Sequence, residues 1–212
     1  MATLRRAGQS PPRRAGPVTH LKAAILAYHS QNVTGSDTGN NDHVALAADL
    51  EAIHASGAQI ISLETLIRGL FGDETLATER PLVCLTFDDG CNFDFRTLVF
   101  PGFGEQTGFL QIMEQFVEKH GKSAQPGIHA TSFVIADPRA RELIDRKALF
   151  AKGHMSDDWW REAEDHPLMT IANHSWDHNH PDLEEGGPYT RGGFEVVKTH
   201  EHCHQQVVVA AE

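Results

Sequence analysis

The stretch PLVCLTFDDG, residues 81–90, decides how the chain is read. Pro81 to Phe87 is almost continuously apolar, as expected of a strand buried on both faces, and such strands belong to parallel sheets covered by helices on either side. It ends abruptly on two carboxylates and a glycine, Asp88-Asp89-Gly90. Adjacent residues leaving a strand point in different directions, so one carboxylate can face a metal while its neighbour faces a substrate or a water. Gly90 permits the sharp turn that exposes them. An Asp-Gly pair alone marks turns in every kind of protein, so this cluster needs a second one beside it.

Short apolar runs alternate with helix-patterned segments on both sides. Ala23–His29, Gln59–Ser62, Ala130–Ala136 and Met169–Ala172 read as strands. His43–Ser56 is predicted as a helix with Val44, Ala47, Leu50 and Ile53 inward and Gly57 as its C-cap. Leu63–Leu70, Phe109–His120 and Pro138–Phe150 are further helices, and Gly193–Ala211 is mostly helical. In Phe109–His120 the inward stripe is Phe109, Ile112, Met113, Phe116 and Val117. Asp88–Gly104 reads as turn-rich, and the phenylalanines around it pack the following helix on the sheet. Phe100–Phe103 has a second reading as an aromatic rim for a sugar ring. Strands separated by helices imply βα units and an α/β fold. In such folds functional residues follow the C-terminal ends of strands.

The second cluster obeys that rule. Asn173-His174-Ser175-Trp176-Asp177-His178 follows the strand Met169–Ala172. His174 and His178 are four residues apart, so one helical turn would put both imidazoles on one face. Spacing alone decides little in a chain with 14 histidines. His200 and His204 form a second such pair, read as solvated on a surface helix. The two clusters together are more specific: a carboxylate and two imidazoles make three ligands with an open fourth position. Ser175 reads as a hydroxyl that orients the loop, and Trp176 and Asp177 as supporting residues.

Composition narrows the function classes. The chain has 212 residues, 40% hydrophobic and 22% charged, with a net charge of −11. This suits one domain, or at most two small ones, with a real core. The acidic balance argues against a nucleic-acid partner, because phosphate backbones need a basic face. No apolar run is long enough to span a membrane. Cys84, Cys91 and Cys203 have no CxxC spacing, so neither a disulfide framework nor a cysteine zinc site is expected. Residues 1–20 hold Arg5, Arg6, Arg13, Arg14 and two adjacent prolines, and are expected to form a disordered basic arm. No apolar leader segment is recognisable there, which points to the cytoplasm as the default location, with a targeting segment and an extracytoplasmic location as the alternative.

TFDDG at 86–90 and HSWDH at 174–178 resemble the first two motifs of the polysaccharide deacetylases, the NodB-homology or carbohydrate esterase family 4 domain. ILAYHS at 25–30, LEAIHASGAQIISLETL at 50–66 and ATSFVI at 130–135 extend the resemblance over residues 22–205. It implies a distorted (β/α) barrel over residues 21–212 and a divalent metal, zinc in most of the family. The donor set also suits cobalt, nickel or iron. By position, Asp88 would be the general base, and Asp89, His174 and His178 the metal ligands. The reaction implied is N-deacetylation of an acetylated amino-sugar polysaccharide by metal-activated water. A cytosolic amidase or cyclic-imide hydrolase of the same fold, and a catalytically impaired metal-binding fragment, are the alternatives.

Three later family motifs have no match: an Arg-x-Pro that braces the base, an acidic and aromatic wall, and a Leu-x-His that supplies the general acid. Arg191, the one arginine after the histidine motif, stands in Thr-Arg-Gly-Gly, and no leucine stands two residues before His200, His202 or His204. With a length below the roughly 250 residues of a complete α/β barrel, the expectation is a barrel incomplete at its C-terminal side.

Overall fold

The computed structural model describes residues 22–72, 76, 78–149, 151–181, 183 and 191–211. The basic arm expected at 1–20 lies outside them. The main sheet holds β1 (Ala23–Tyr28), β2 (Gln59–Ile60), β3 (Leu82–Phe87), β6 (Ala130–Val134) and β7 (Met169–Asn173), all paired in parallel. Its order is β1-β3-β6-β7. β1 runs beside the whole of β3, from Ala23 opposite Leu82 to Tyr28 opposite Phe87. The other edge of β3 is shared: β2 takes Leu82 and Val83, and β6 takes Leu85 to Phe87. The sheet is thus parallel and α/β as the sequence implies. Among the described residues no pairing joins β1 to β7, so the barrel closure expected from the resemblance is not on view.

Every residue of β3 is buried, which is why its sequence shows no alternation. Helices α1 (Asp42–Ser56) and α3 (Phe109–His120) pack on the sheet around Leu46, Leu50, Ile53, Phe109, Met113 and Phe116. Asn41 caps α1 by accepting from the amides of His43 and Val44, and Gly57 ends it in the left-handed conformation at φ 78°. The inward face of α1 is His43, Leu46, Leu50 and Ile53, not the expected Val44-Ala47-Leu50-Ile53; Ala47 is exposed. Steps of three drift around a helix of 3.6 residues per turn, whereas steps of three, four and three stay on one face. α2 (Leu63–Phe71) buries Leu66, and its N-cap is Ser62.

Between β3 and α3 a short antiparallel hairpin appears, β4 (Leu98–Phe100) with β5 (Gly104–Gln106). α4 (Pro138–Ala148) and α5 (Trp160–Glu164) connect β6 to β7, and α6 (His200–Val207) follows the histidine loop. Phe93, Phe95, Phe100 and Phe109 are buried. Phe93 and Phe100 pack with Ile135, Ile144 and Met155, a second core beneath α4. An aromatic rim at Phe100–Phe103 is therefore excluded for Phe100, at 3% exposure, while Phe103 is 45% exposed. Cys84 is a buried apolar residue, and burial pushes its thiol up to about 11. No helix among the described residues is long and apolar enough to cross a membrane.

Candidate metal centre

The two clusters meet at the C-terminal edge of the sheet. Asp88 leaves β3 with its amide donating to the Tyr28 carbonyl at 2.9 Å, which keeps β1 and β3 in register to the last residue. Asp89 and Gly90 then both take left-handed backbone, at φ 77° and 71°. Asp tolerates this conformation better than most residues. At position 90 a β-carbon would lie 2.7 Å from Val134 Cγ1 and 3.0 Å from the Val134 α-carbon. Only glycine lets the turn close against β6.

On the other side, the His174 amide donates to the Val134 carbonyl at 2.9 Å as the chain leaves β7. The expected helical turn from His174 to His178 is absent, and this corrects the sequence reading. Ser175, His178 and Asn179 have positive φ, at 71°, 58° and 47°. The Asn173 carboxamide oxygen takes the Ser175 amide at 2.5 Å, and Ser175 Oγ takes the His178 amide at 2.9 Å. These side chains offer the backbone a local alternative to helical hydrogen bonds. The imidazoles still converge, with ring centroids 4.9 Å apart. Ser175 orients the loop as expected, through its hydroxyl.

His174 Nε2 lies 3.3 Å and His178 Nε2 3.4 Å from the same oxygen, Asp89 Oδ1. One ligand atom from each residue falls within 4.8 Å of the other two. Two imidazole nitrogens and one carboxylate oxygen converging on a point are a donor set suited to a divalent transition metal. Burial raises the pKa of Asp89, but the hydrogen bond and charge of His174, with His178 and His29 behind it, hold it below the ordinary carboxylate value on balance. Burial lowers the pKa of His178, which outweighs the attraction of Asp89 and favours the neutral imidazole a metal requires. Asp88 stands at the rim with 22% of its side chain exposed, and its Oδ2 is 3.9 Å from His29 Nε2.

A second ring of residues supports the cluster. Asp177 is buried and accepts from the Asn179 amide at 3.0 Å, from Gln206 Nε2 at 2.6 Å and from Arg191. Arg191 therefore braces the histidine loop and not the base. Asp94, fully buried, accepts from Ser30 Oγ at 2.5 Å and Ser132 Oγ at 2.7 Å. Burial, with Asp89 and Asp88 nearby, pushes its pKa up to about 8 against the pull of both serines.

Sequence reasoning missed the contribution of β1. His29, Ser30 and Gln31 follow that strand, and each meets a different acid: His29 faces Asp88, Ser30 binds Asp94, and Gln31 Nε2 donates to Asp89 Oδ2. The signal was available, because the strand-end rule that located Asp88 and His174 applies equally to Tyr28. His200 and His204 are exposed on α6 as expected.

No protein-family model matches the sequence, and no curated protein matches it significantly. Among solved structures the chain is similar to the Streptococcus pyogenes deacetylase PplD, solved in complex with acetate, at 22% identity and a TM-score of 0.47; the match covers 80% of this chain and 62% of that one. A de-N-acetylase from Aggregatibacter actinomycetemcomitans matches at 18% identity and TM-score 0.47, over 74% of this chain and 56% of that one. IcaB from Ammonifex degensii matches at 20% identity and TM-score 0.47, over 76% and 57%. The chain thus spans about three-fifths of the length of these structures.

Proposed function

We propose that this chain is a metal-dependent hydrolase of the polysaccharide deacetylase type, acting on the N-acetyl group of an amino-sugar polymer. The observation that carries the reading is the convergence of Asp89, His174 and His178 on one point, with Asp88 at its exposed rim. TFDDG and HSWDH, the motifs that resemble that family, supply these four residues.

Asp89, His174 and His178 would hold the ion, zinc before cobalt, nickel or iron. When bound, such an ion acts as a Lewis acid toward a carbonyl oxygen and lowers the pKa of water at its open position. Asp88, the neighbour of the ligand Asp89 in TFDDG, would take the proton from the attacking water. His29 flanks Asp88, with Nε2 3.9 Å from Oδ2.

The test is acetate release from acetylated chitooligosaccharides by the metal-loaded protein. Asp88→Asn is expected to lose about 10²–10⁴-fold in rate while keeping its metal. His178→Ala is expected to lose the metal itself. Wild-type activity in Asp88→Asn would remove it as the base, and unchanged metal content in His178→Ala would remove the triad.

A further inference from the structure

We infer that Gln31 is a positioning residue for Asp89, fixing that carboxylate so that only Oδ1 is offered to the ion; this rests on the metal-centre reading above. The two oxygens of Asp89 have separate surroundings. Oδ1 is the atom approached by both imidazoles, at 3.3 and 3.4 Å. Oδ2 is turned away and accepts from Gln31 Nε2. A carboxylate beside two imidazoles and without such a donor is free to rotate about its last bond and present both oxygens. A neutral amide on Oδ2 prevents that, and it adds no charge to compete with the ion.

The amide can face only one way. An ionised carboxylate has no proton to give, so the NH₂ end must point at Asp89. The other end, Oε1, is buried and has no hydrogen-bond partner among the described residues. The bond to Asp89 is therefore what orients this side chain.

The backbone that carries Gln31 is fixed on both sides. The His29 amide donates to Asp42 Oδ2 at 2.8 Å, and the Asn32 amide returns to the His29 carbonyl at 2.8 Å. Ser30, fully buried, is held through its hydroxyl by Asp94, and its carbonyl lies 2.9 Å from His43 Nε2. Partners of this kind set ligand orientation, and their loss typically costs about 10–100-fold in metal affinity.

The experiment titrates metal-free protein with zinc against a chromophoric chelator, comparing wild type, Gln31→Met and His178→Ala. Gln31→Met keeps the length of the side chain and removes the donor. Its zinc affinity is expected to fall about 10–100-fold with the melting temperature of the metal-free protein unchanged. X-ray absorption of zinc-loaded wild type is expected to show one carboxylate oxygen bound; this needs no variant and decides the matter if Gln31→Met fails to fold. Failure of wild type to bind zinc, or unchanged affinity in His178→Ala, overturns the metal-centre reading. Zinc binding lost in His178→Ala but unchanged in Gln31→Met, or a carboxylate bound through both oxygens, overturns the role of Gln31 alone.

Discussion

Gln206, on α6, donates through Nε2 to Asp177 Oδ1 at 2.6 Å, and so ties that helix to the middle of the histidine loop. Its backbone carbonyl takes the Trp176 amide at 3.1 Å, and its Oε1 takes the Asp177 amide at 3.4 Å. Both Gln206 and Asp177 are buried. α6 is thereby a brace for His174 and His178, although it contributes no ligand.

Gln206→Ala leaves a buried carboxylate short of one donor. Losing a hydrogen bond to a charged group costs about 1.5–3 kcal/mol, so urea unfolding should show a loss of that size. Arg191 still reaches Asp177, which keeps the loss below that of a wholly unpaired charge. No change in unfolding free energy would mean that the loop holds its shape without the Gln206 side chain.

Gly90→Ala tests the closeness of the acidic turn to β6. The added methyl would sit 2.7 Å from Val134 Cγ1 and 3.0 Å from the Val134 backbone, on a residue with φ 71°. Left-handed backbone at a non-glycine costs about 1–2 kcal/mol before any clash. Since Val134 also takes the His174 amide, the strain falls on both halves of the cluster. We expect lower stability together with weaker zinc binding. A variant with native affinity would show that the turn can move away from β6 without disturbing Asp89.

What was legible in the sequence, and what was not, follows from where each structure draws its stability. Phe109–His120 is legible as a helix from its stripe of large apolar side chains, although Leu110 is buried where the stripe has Val117. β3 was equally plain, since burial on both faces leaves a continuous apolar run. The hairpin of β4 and β5 was not seen: with three residues per strand, alternation has no room to show. His174 and His178 were paired correctly for the wrong reason. Their spacing suggests a helix, but the Asn173 and Ser175 side chains capture the amides that a helix would use. Gln31 follows β1 and so falls under the strand-end rule, whereas Asp94 lies outside every motif and only the fold brings it beside Ser30 and Ser132.

Trp159, at the N-terminal end of α5, is part of the main core. It is fully buried and stacks on Phe95, with centroids 5.6 Å apart and planes at 17°. Trp159→Ala should cost about 3–5 kcal/mol, the usual loss for a large buried aromatic. Zinc affinity measured well below the new unfolding transition should stay near wild type, because none of the three ligands touches this ring. A joint loss would show that the core beneath α5 and the metal centre are one cooperative unit.

Asp94 gives the fold a specific pH dependence. Its pKa is pushed up to about 8 in the folded protein by burial, against roughly 3.9 in an unfolded chain. Between these values the folded state keeps a proton that the unfolded state releases. Stability from this group is therefore complete below about pH 4, falls as pH rises, and is lost by the time pH passes 8. The slope in that window approaches about 1.4 kcal/mol per pH unit for one proton. Asp94→Asn replaces the neutral acid with a neutral amide that can still accept from one serine and donate to the other. The variant should match the wild type near pH 4 and gain on it steadily toward pH 8 in urea unfolding of metal-free protein. Acids remote from residue 94 titrate alike in the two proteins, and only Asp88 and Asp89 lie close enough to be coupled to it, so the difference reports on the buried carboxyl at this turn. A difference that stays flat from pH 4 to pH 8 would show that Asp94 is ionised in the folded protein, held as a carboxylate by Ser30 and Ser132.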